Sequence, residues 1–524
     1  MVGEFAGLAS MAAAIALNAR RDPHHALELL ELGRGVIASL LLETRADISV
    51  LECQNFKLAE EFVSLRNQLD SPAGRLALPI SDANSLSAEL RAKRRRDVET
   101  RFHEVLREIR RDWPNFLRPP TEKELTAEAV LGPIILVNIS HYRCDAFLVW
   151  RNGISVKRLR EMTFKDVEKR VKDLKSDLTT ILAWLWRVIA KPCLDDLGFV
   201  EPHPEGQKWR RVWWIPTGAL VHFPLHAAGH HYNESKDTVL DRVMSSYSSS
   251  IKSLMYAREK RTQRAILGTP QPGTERVLLV GMKKTPGQAP LHYAGREVQI
   301  VKKFCEDWKL TPVTLSRNCR REVLNEIGTC KIFHFSGHGL SDLSEPSKSC
   351  LLLEDCITDP LTVAHLLDTW CVGNAPFLAY LSACSTGTIN DQRLLDEAIH
   401  LINACQLAGF RNVVGMLWEV DDEYSAIVAS DVYQALGSNL WKSEAVAKGL
   451  HNAVRNLRTQ TQTVRTAEVY DRERAAQVVD NGEEEDDRRT ESAKIDDRKL
   501  SGLGNAICKG GNPLMWAAYI HVGP

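Results

Sequence analysis

Apolar residues in the N-terminal part of the chain recur at intervals of three and four, with charged residues between them. This spacing is typical of amphipathic helices that bury one apolar face. It predicts helices around residues 26–37, over residues 55–69 and through a third, highly charged stretch that ends near Ile109. We therefore expect a helical region over about residues 1–120.

The pattern changes after Pro119-Pro120, where short, continuous apolar runs alternate with amphipathic stretches. Such runs predict the strands of a mostly parallel sheet that helices cover on both faces, which is an α/β fold. We assign residues 121–260 to the first part of this region and residues 261–524 to the second. The predicted strands are residues 134–139, 145–150, 211–216, 277–281, 331–335, 377–382, 412–418 and 516–522. The predicted helices are residues 164–189, 296–310, 396–408 and a stretch from about 423.

Residues 459–500 interrupt this alternation shortly before the last predicted strand. They are polar, and residues 483–489 form a block of charges with no apolar face. A segment of this composition cannot bury enough apolar surface to fold, so we expect a disordered acidic insertion. Both a tolerated surface insertion and a regulatory or cleavable loop fit this segment.

The composition limits the class of protein and its partners. The length of 524 residues is too great for one hydrophobic core and predicts two or three domains. Hydrophobic residues make up 44% and charged residues 26%, as in globular proteins. Lys+Arg and Asp+Glu both number 67, so the formal net charge is zero. Because a neutral chain has no overall field to attract polyanions, we expect neither nucleic acid nor membrane as a partner.

The cysteines and glycines predict neither a metal nor a cofactor. The 12 cysteines include no CxxC pair and no zinc-finger spacing, and free thiols indicate a reducing compartment. The glycine at position 281 lacks the spacing of a phosphate-binding loop.

No apolar run reaches the ~18 residues of a membrane helix. The Ala-rich stretch Phe5–Leu17 follows an acidic residue, so we read it as part of a buried helix and expect a cytoplasmic protein.

Two predicted strands end in residues that can carry out nucleophilic chemistry. His338 directly follows the apolar run that starts at residue 331, and Cys384 directly follows the run that starts at residue 377. Parallel strands place such residues at one edge of the sheet, where ligands bind. An imidazole can take the proton of a thiol, and the resulting thiolate is the nucleophile. The backbone N–H groups of Gly339 and Cys384 are candidate oxyanion donors.

The motifs around these residues resemble those of the CHAT domain, a member of the caspase–separase clan of cysteine peptidases that often follows tetratricopeptide repeats. Further segments outside the two strand ends extend the resemblance over nearly the whole chain. The segments that carry it are residues 26–35, 214–220, 334–339, 381–387, 396–397, 415–422 and 516–519. Only the last part of one repeat, to about residue 45, is present in this sequence.

The resemblance implies a caspase-like fold in which residues 121–260 form the non-catalytic half and residues 261–524 the catalytic half. It also implies a catalytic dyad that cleaves peptide bonds, with His338 as base and Cys384 as nucleophile. His334, a second histidine in the same motif, is expected to point back into the sheet. The acids of the next helix, Asp396 and Glu397, are expected to order a loop.

Three residues are candidates for the pocket that receives the substrate side chain. Related clans place an aspartate two residues before the nucleophile, and here that position is Ser382. Asp422 resembles a separase acid that faces a basic side chain, and it is a candidate for the pocket wall. The alternative is that it caps the helix that starts near residue 423, and Asp421 suits either role.

These observations favour a cysteine endopeptidase that acts on protein substrates and is regulated by a protein partner or signal. The alternative is a non-catalytic CHAT module that keeps the fold as an interaction scaffold. A third reading is an acyl-transferring or hydrolysing enzyme that uses the same dyad on a small molecule.

Overall fold

A sheet of 11 strands forms the centre of the part of the chain that the structure describes. The computed structural model describes residues 7–33, 51, 55–70, 86–113, 116, 120–232, 235–258, 275–342, 346–368, 376–383, 401–480 and 512–524. The strand order in the large sheet is β3-β2-β1-β4-β5-β14-β13-β12-β8-β6-β7, and β9, β10 and β11 form a separate small sheet. The strands are β1 Ile134–Asn138, β2 Asp145–Trp150, β3 Gly153–Arg158, β4 Arg211–Pro216, β5 Met244–Tyr247, β6 Arg276–Gly281, β7 Thr311–Thr314, β8 Ile332–Gly337, β9 Gly339–Leu340, β10 Cys350–Leu351, β11 Leu361–Thr362, β12 Leu378–Ala383, β13 Asn412–Met416 and β14 Tyr519–Val522.

Helices precede the sheet and alternate with its strands. They are α1 Leu8–Asn18, α2 Pro23–Leu32, α3 Phe56–Asp70, α4 Leu86–Asp112, α5 Glu122–Glu128, α6 Phe164–Asp173, α7 Leu178–Leu185, α8 Lys191–Asp196, α9 Val239–Arg242, α10 Ala294–Asp307, α11 Arg320–Ile327, α12 Val363–Asp368, α13 Leu401–Leu407, α14 Asp422–Leu436, α15 Ser443–Asp480 and α16 Pro513–Trp516. The mostly parallel α/β architecture with a helical N-terminal region confirms the predicted fold class.

Most neighbouring strands of the large sheet are parallel. The exceptions are the β1–β2, β2–β3 and β13–β14 pairs, which are antiparallel. Strands β1 to β5 lie on one side of the sheet and the remaining six on the other, and the two groups meet where β14 pairs with β5. We call these groups the N-terminal half-sheet and the C-terminal half-sheet. The carboxyl ends of β8, β12 and β13 share one edge because these strands run in the same direction.

Apolar residues on alternating positions of the N-terminal half-sheet enter two different cores. Ile135 and Trp214 belong to the main core, whereas Leu136 and Trp213 pack in a second cluster with α1 and α2. The continuous apolar runs of these strands therefore reflect burial on both faces. Glu31 of α2 links the N-terminal helices to the segment after β5, because its carboxylate accepts a hydrogen bond from the backbone N–H of Ile251.

Several boundaries differ from the predicted ones for local physical reasons. The predicted helix over residues 164–189 is interrupted between α6 and α7, where the polar residues 175–177 form a turn. The stretch 516–522 starts with the end of α16 before the strand begins at Tyr519. Helix α15 continues to Asp480, so the first part of the predicted disordered insertion is helical; its Ala, Arg, Glu and Gln residues favour a helix that starts on a packed end. Residues 481–511 lie outside the described residues.

The Ala-rich stretch Phe5–Leu17 was predicted to be part of a buried helix. This stretch forms α1, and Ala13 and Ala14 are completely buried. Among the residues that the structure describes, no helix combines the length and the apolar character needed to cross a membrane.

Candidate active site

Strands β8 and β12 are parallel neighbours that end at the same level. Ser336 lies opposite Ser382, and Gly337 lies opposite Ala383. The sequence continues from Gly337 to His338 and from Ala383 to Cys384. Cys384 itself lies outside the described residues, as do Asp396 and Glu397. The structure thus confirms that the two strands are neighbours, which is the condition for bringing the two candidate catalytic positions together.

The imidazole of His338 is held by a backbone carbonyl. The ring is buried at 8% exposure, and its Nε2 lies 2.9 Å from the carbonyl oxygen of Ala289, in the loop between β6 and α10. A carbonyl can only accept a hydrogen bond, so Nε2 carries the proton. In the neutral ring the other nitrogen, Nδ1, is then unprotonated and able to act as a base. The contact therefore selects the tautomer of His338.

The backbone around His338 is fixed as well. The carbonyl of His338 accepts a hydrogen bond of 2.9 Å from the N–H of Leu352, next to the small sheet. Gly339 begins β9 and pairs with Leu351. A Cβ at Gly337 would lie 2.8 Å from the ring of Phe335, so only glycine allows this close packing at the strand end. The turn after β8 is thus determined by packing and by the small sheet.

A buried carboxylate lies beneath the two strand ends. Glu297 of α10 is 1% exposed, and its Oε2 accepts hydrogen bonds from the hydroxyls of Ser336, at 2.9 Å, and Ser382, at 3.0 Å. Its Oε1 lies 3.1 Å from Nε2 of His334. Ser382, the predicted pocket residue, is therefore buried and bonded to the interior. Its contact with substrate remains a prediction.

His334 is completely buried and points into the protein, as the sequence analysis expected. Its Nδ1 lies 3.1 Å from the hydroxyl of Tyr433, and its ring stacks on that of Tyr380 with centroids 5.0 Å apart. Burial, with a further contribution from the charge of Glu297, raises the pKa of the Tyr380 hydroxyl. These contacts give His334 a structural environment distinct from that of His338.

Asp421 and Asp422 lie at the start of α14, after β13. The side chain of Asp421 accepts a hydrogen bond from the N–H of Glu423 and caps the helix, which is the alternative that the sequence analysis left open. Asp422 accepts a 2.7 Å hydrogen bond from the N–H of Tyr293. The charge of nearby Glu423 raises the pKa of the Tyr293 hydroxyl. Asp422 thereby ties α14 to the loop that also carries Ala289.

Sequence reasoning did not identify Ala289 or Glu297. A backbone carbonyl has no residue-type signal, so nothing marks Ala289 in advance. Glu297 has one detectable signal, because it lies in the buried face of α10 with Ala294, Val298 and Val301. An acid in the apolar stripe of a helix needs a polar partner, and it could have been identified on that ground. Within the described ranges, no three metal-ligating side chains converge as a metal site would require.

Comparison with known protein families gives the class of the protein. The family model of the CHAT domain matches residues 179–524, and the chain therefore belongs to the CHAT domain family. The comparison with curated proteins finds no match.

Similar solved structures include a cysteine proteinase and a separase–securin complex. The Arg-specific cysteine proteinase gingipain R is 11% identical with a TM-score of 0.33, over 54% of this chain and 71% of that chain. The complex of the pro- and mature domains of RgpB from Porphyromonas gingivalis is 12% identical with a TM-score of 0.31, over 56% of this chain and 71% of that chain. The separase–securin complex of Saccharomyces cerevisiae is 12% identical with a TM-score of 0.34, over 89% of this chain and 27% of that chain.

Proposed function

We propose that this CHAT domain protein is a cysteine endopeptidase in which His338 is the general base and Cys384 the nucleophile. The observation that carries the proposal is the pairing of Gly337 with Ala383, which brings the carboxyl ends of β8 and β12 to the same sheet edge. The hydrogen bond from His338 to Ala289 supports it, because that bond leaves Nδ1 available for a proton.

The proposed reaction uses only these groups and water. Nδ1 of His338 takes the thiol proton of Cys384, and the thiolate attacks the carbonyl carbon of a peptide bond. The N–H groups of Gly339 and Cys384 stabilise the oxyanion of the tetrahedral intermediate. The intermediate collapses to a thioester as the imidazolium protonates the leaving amine. Water, deprotonated by His338, then attacks the thioester and releases the carboxylic acid and the free thiol.

The substrate class we propose is a protein segment bound across this sheet edge. Asp422, and Asp421 beside it, lie at the start of α14 after β13 and remain our candidates for contact with a basic substrate side chain. Their positions at the start of α14 support this assignment only in part, since both already bond backbone N–H groups. We also propose that a protein partner or signal regulates the enzyme in the cytoplasm.

The first experiment is labelling of the purified protein with a peptidyl chloromethyl ketone that carries arginine at the reactive end. We expect an adduct on Cys384 that is lost in Cys384→Ala and in His338→Ala. The buried thiols compete poorly, because burial raises the pKa of Cys305 to about 12 and that of Cys350 to about 11.

The control for nonspecific reaction is Cys356→Ala, since this cysteine is partly exposed and close to the loop at Pro286. Its removal is expected to leave the adduct on Cys384 unchanged. Slow, equal labelling of several cysteines in the wild type would show that Cys384 is not activated. That result would favour the non-catalytic scaffold instead.

A further inference from the structure

One carboxylate oxygen joins the two strands that carry the proposed dyad. Oε2 of Glu297 accepts hydrogen bonds from Ser336 and from Ser382, which are direct partners in the β8–β12 register. We call Glu297, Ser336 and Ser382 the carboxylate clasp. The clasp bridges the strands one residue pair before their ends at Gly337 and Ala383.

The clasp serines lie two residues before the dyad positions in the sequence, Ser336 before His338 and Ser382 before Cys384. Residues two apart on an extended chain share a face, so we expect each serine to share a face with the catalytic residue that follows it. A change in the separation of the two serines is therefore passed to the next residues on the same face. The productive distance between a base and a nucleophile tolerates shifts of only about 0.5 Å.

The carboxylate is itself rigidly placed. Gly281 allows the end of β6 to pack directly on α10, since a Cβ there would lie 2.8 Å from the side chain of Val298. The second oxygen of Glu297 faces His334, which is completely buried. A buried carboxylate is costly to desolvate, and the hydroxyls of Ser336 and Ser382 together with His334 compensate for that cost.

We propose that Glu297 is a positioning residue for the dyad, which it aligns by holding Ser336 and Ser382 on one oxygen. This inference rests on the proposed function of His338 and Cys384. In this inference Ser382 supports the active site through its hydrogen bond to the buried Glu297. The two serines act through Glu297, so their joint loss is expected to resemble the loss of the carboxylate.

The test measures the alkylation rate of Cys384 by iodoacetamide as a function of pH, with the modified peptide quantified by mass spectrometry. In the wild type we expect the rate to rise at a pH below the ordinary cysteine range of about 8.5. In Glu297→Leu and in the double variant Ser336→Ala/Ser382→Ala, we expect the rise to move toward that range. At pH 6 the rate is expected to fall at least about tenfold, because the base is misplaced.

Two further variants separate positioning from general loss of structure. Glu297→Gln keeps a carbonyl oxygen that can accept both hydroxyls, so we expect its rate within about threefold of the wild type. Glu306→Leu changes an exposed acid on the same helix and is expected to leave the profile unchanged. The thermal unfolding midpoint of each variant is measured in parallel, and the double serine variant decides the matter if Glu297→Leu does not fold.

The outcomes distinguish this inference from the proposed function. A folded double serine variant with the wild-type pH profile overturns the positioning role while leaving the dyad intact. A wild-type Cys384 that titrates as an ordinary cysteine overturns the dyad and the positioning role together.

Discussion

Both half-sheets contain a buried histidine whose Nε2 bonds a backbone carbonyl, but the two histidines differ in what surrounds them. In the C-terminal half-sheet, His338 bonds Ala289 directly after a paired strand end. Near the N-terminal half-sheet, His231 bonds the carbonyl of Ala227 at 2.7 Å and packs against the ring of Trp516. Burial lowers the pKa of His231 to about 4. A carbonyl contact thus fixes a tautomer in both places, and the position of His338 after a paired strand end distinguishes it as the proposed base.

A second contrast lies in the polar groups beneath each half-sheet. The C-terminal half-sheet has a buried carboxylate that reaches two strands next to the proposed dyad. In the N-terminal half-sheet, the hydroxyl of Tyr247 accepts a hydrogen bond from the N–H of His226 and bonds its Nδ1, each at 2.9 Å. In our proposal, Glu297 supports the dyad at the sheet edge. The bonds between Tyr247 and His226 instead join two buried residues of the interior. Changes in the two regions should therefore separate activity from stability.

The largest expected effect is the contrast between two histidine substitutions, one of which should reduce labelling and the other stability. His338→Gln removes the base, and we expect the rate of Cys384 labelling by the peptidyl electrophile to fall about 10²–10⁴-fold with little change in unfolding free energy. His226→Leu leaves the Tyr247 hydroxyl without its ring partner, at a cost of about 1–3 kcal/mol. Its labelling rate should stay at the wild-type level. Loss of labelling in His226→Leu would refute the separation of the two halves.

The next effect concerns the link between the N-terminal half-sheet and α15. Asp241 bonds Arg458 through both oxygens, at 2.8 and 2.9 Å, and Arg455 at 3.1 Å. Burial alone would raise the pKa of Asp241, but the hydrogen bonds and charge of Arg458, with those of Thr238 and Arg455, outweigh it and lower that pKa. Asp241→Ala leaves the guanidinium of Arg458, which is only 11% exposed, without its carboxylate partner, so we expect a loss of about 3–5 kcal/mol in urea unfolding. A loss below about 1 kcal/mol would contradict this assignment.

The strands with continuous apolar runs were predictable from the sequence. Residues 145–150 and 211–216 form strands with the predicted bounds, because burial on both faces leaves an unbroken apolar signal. The strands β3, β5, β7, β9, β10 and β11 were missed. All but β3 have two to four residues, which is too short for a periodic pattern. Strand β3 has six residues, but none of them is fully buried, so it has no continuous apolar run.

In the site, as in the fold, only features that depend on neighbouring residues in the sequence were predictable. The strand-end motifs indicated His338 and Cys384 because their signals are local. The contacts of Glu297 join residues 39 and 85 positions apart, and the partner of His338 lies 49 positions away. Such contacts depend on the packing of α10 and its loop against the sheet, which no local pattern contains.

Acid should weaken the region around the N-terminal half-sheet through buried histidines of the β4–β5 segment and of α15. Burial lowers the pKa of His226 and of His451 to about 3, and that of His222 to about 4. Since the unfolded value is about 6.5, these groups contribute stability that is fully present above that pH. The contribution is lost as the pH falls from about 6.5 toward 3–4. We expect the unfolding free energy in urea to fall steadily from pH 6.5 to 4.5.

The variant that checks this prediction is again His226→Leu, whose unfolding free energy should fall less steeply over the same pH range. Asp241 acts in the same direction but only below the ordinary carboxyl range of about 4, so the interval from pH 6.5 to 4.5 isolates the histidines. An identical slope in the variant and the wild type would show that His226 takes up no proton on unfolding there.

The smallest expected effect comes from a second ion pair between α15 and the N-terminal part, Lys208 with Glu444 at 2.9 Å. Both side chains are exposed, at 78% and 48%, so water and salt screen the pair. Glu444→Ala should cost no more than about 1 kcal/mol in urea unfolding, and 0.5 M salt should reduce even that difference. Glu444 and Asp241 connect α15 to the same part of the molecule through similar distances. A large gap between the two variants would therefore measure the effect of burial, and equal costs would mean that the Asp241 pair is solvated in the folded protein.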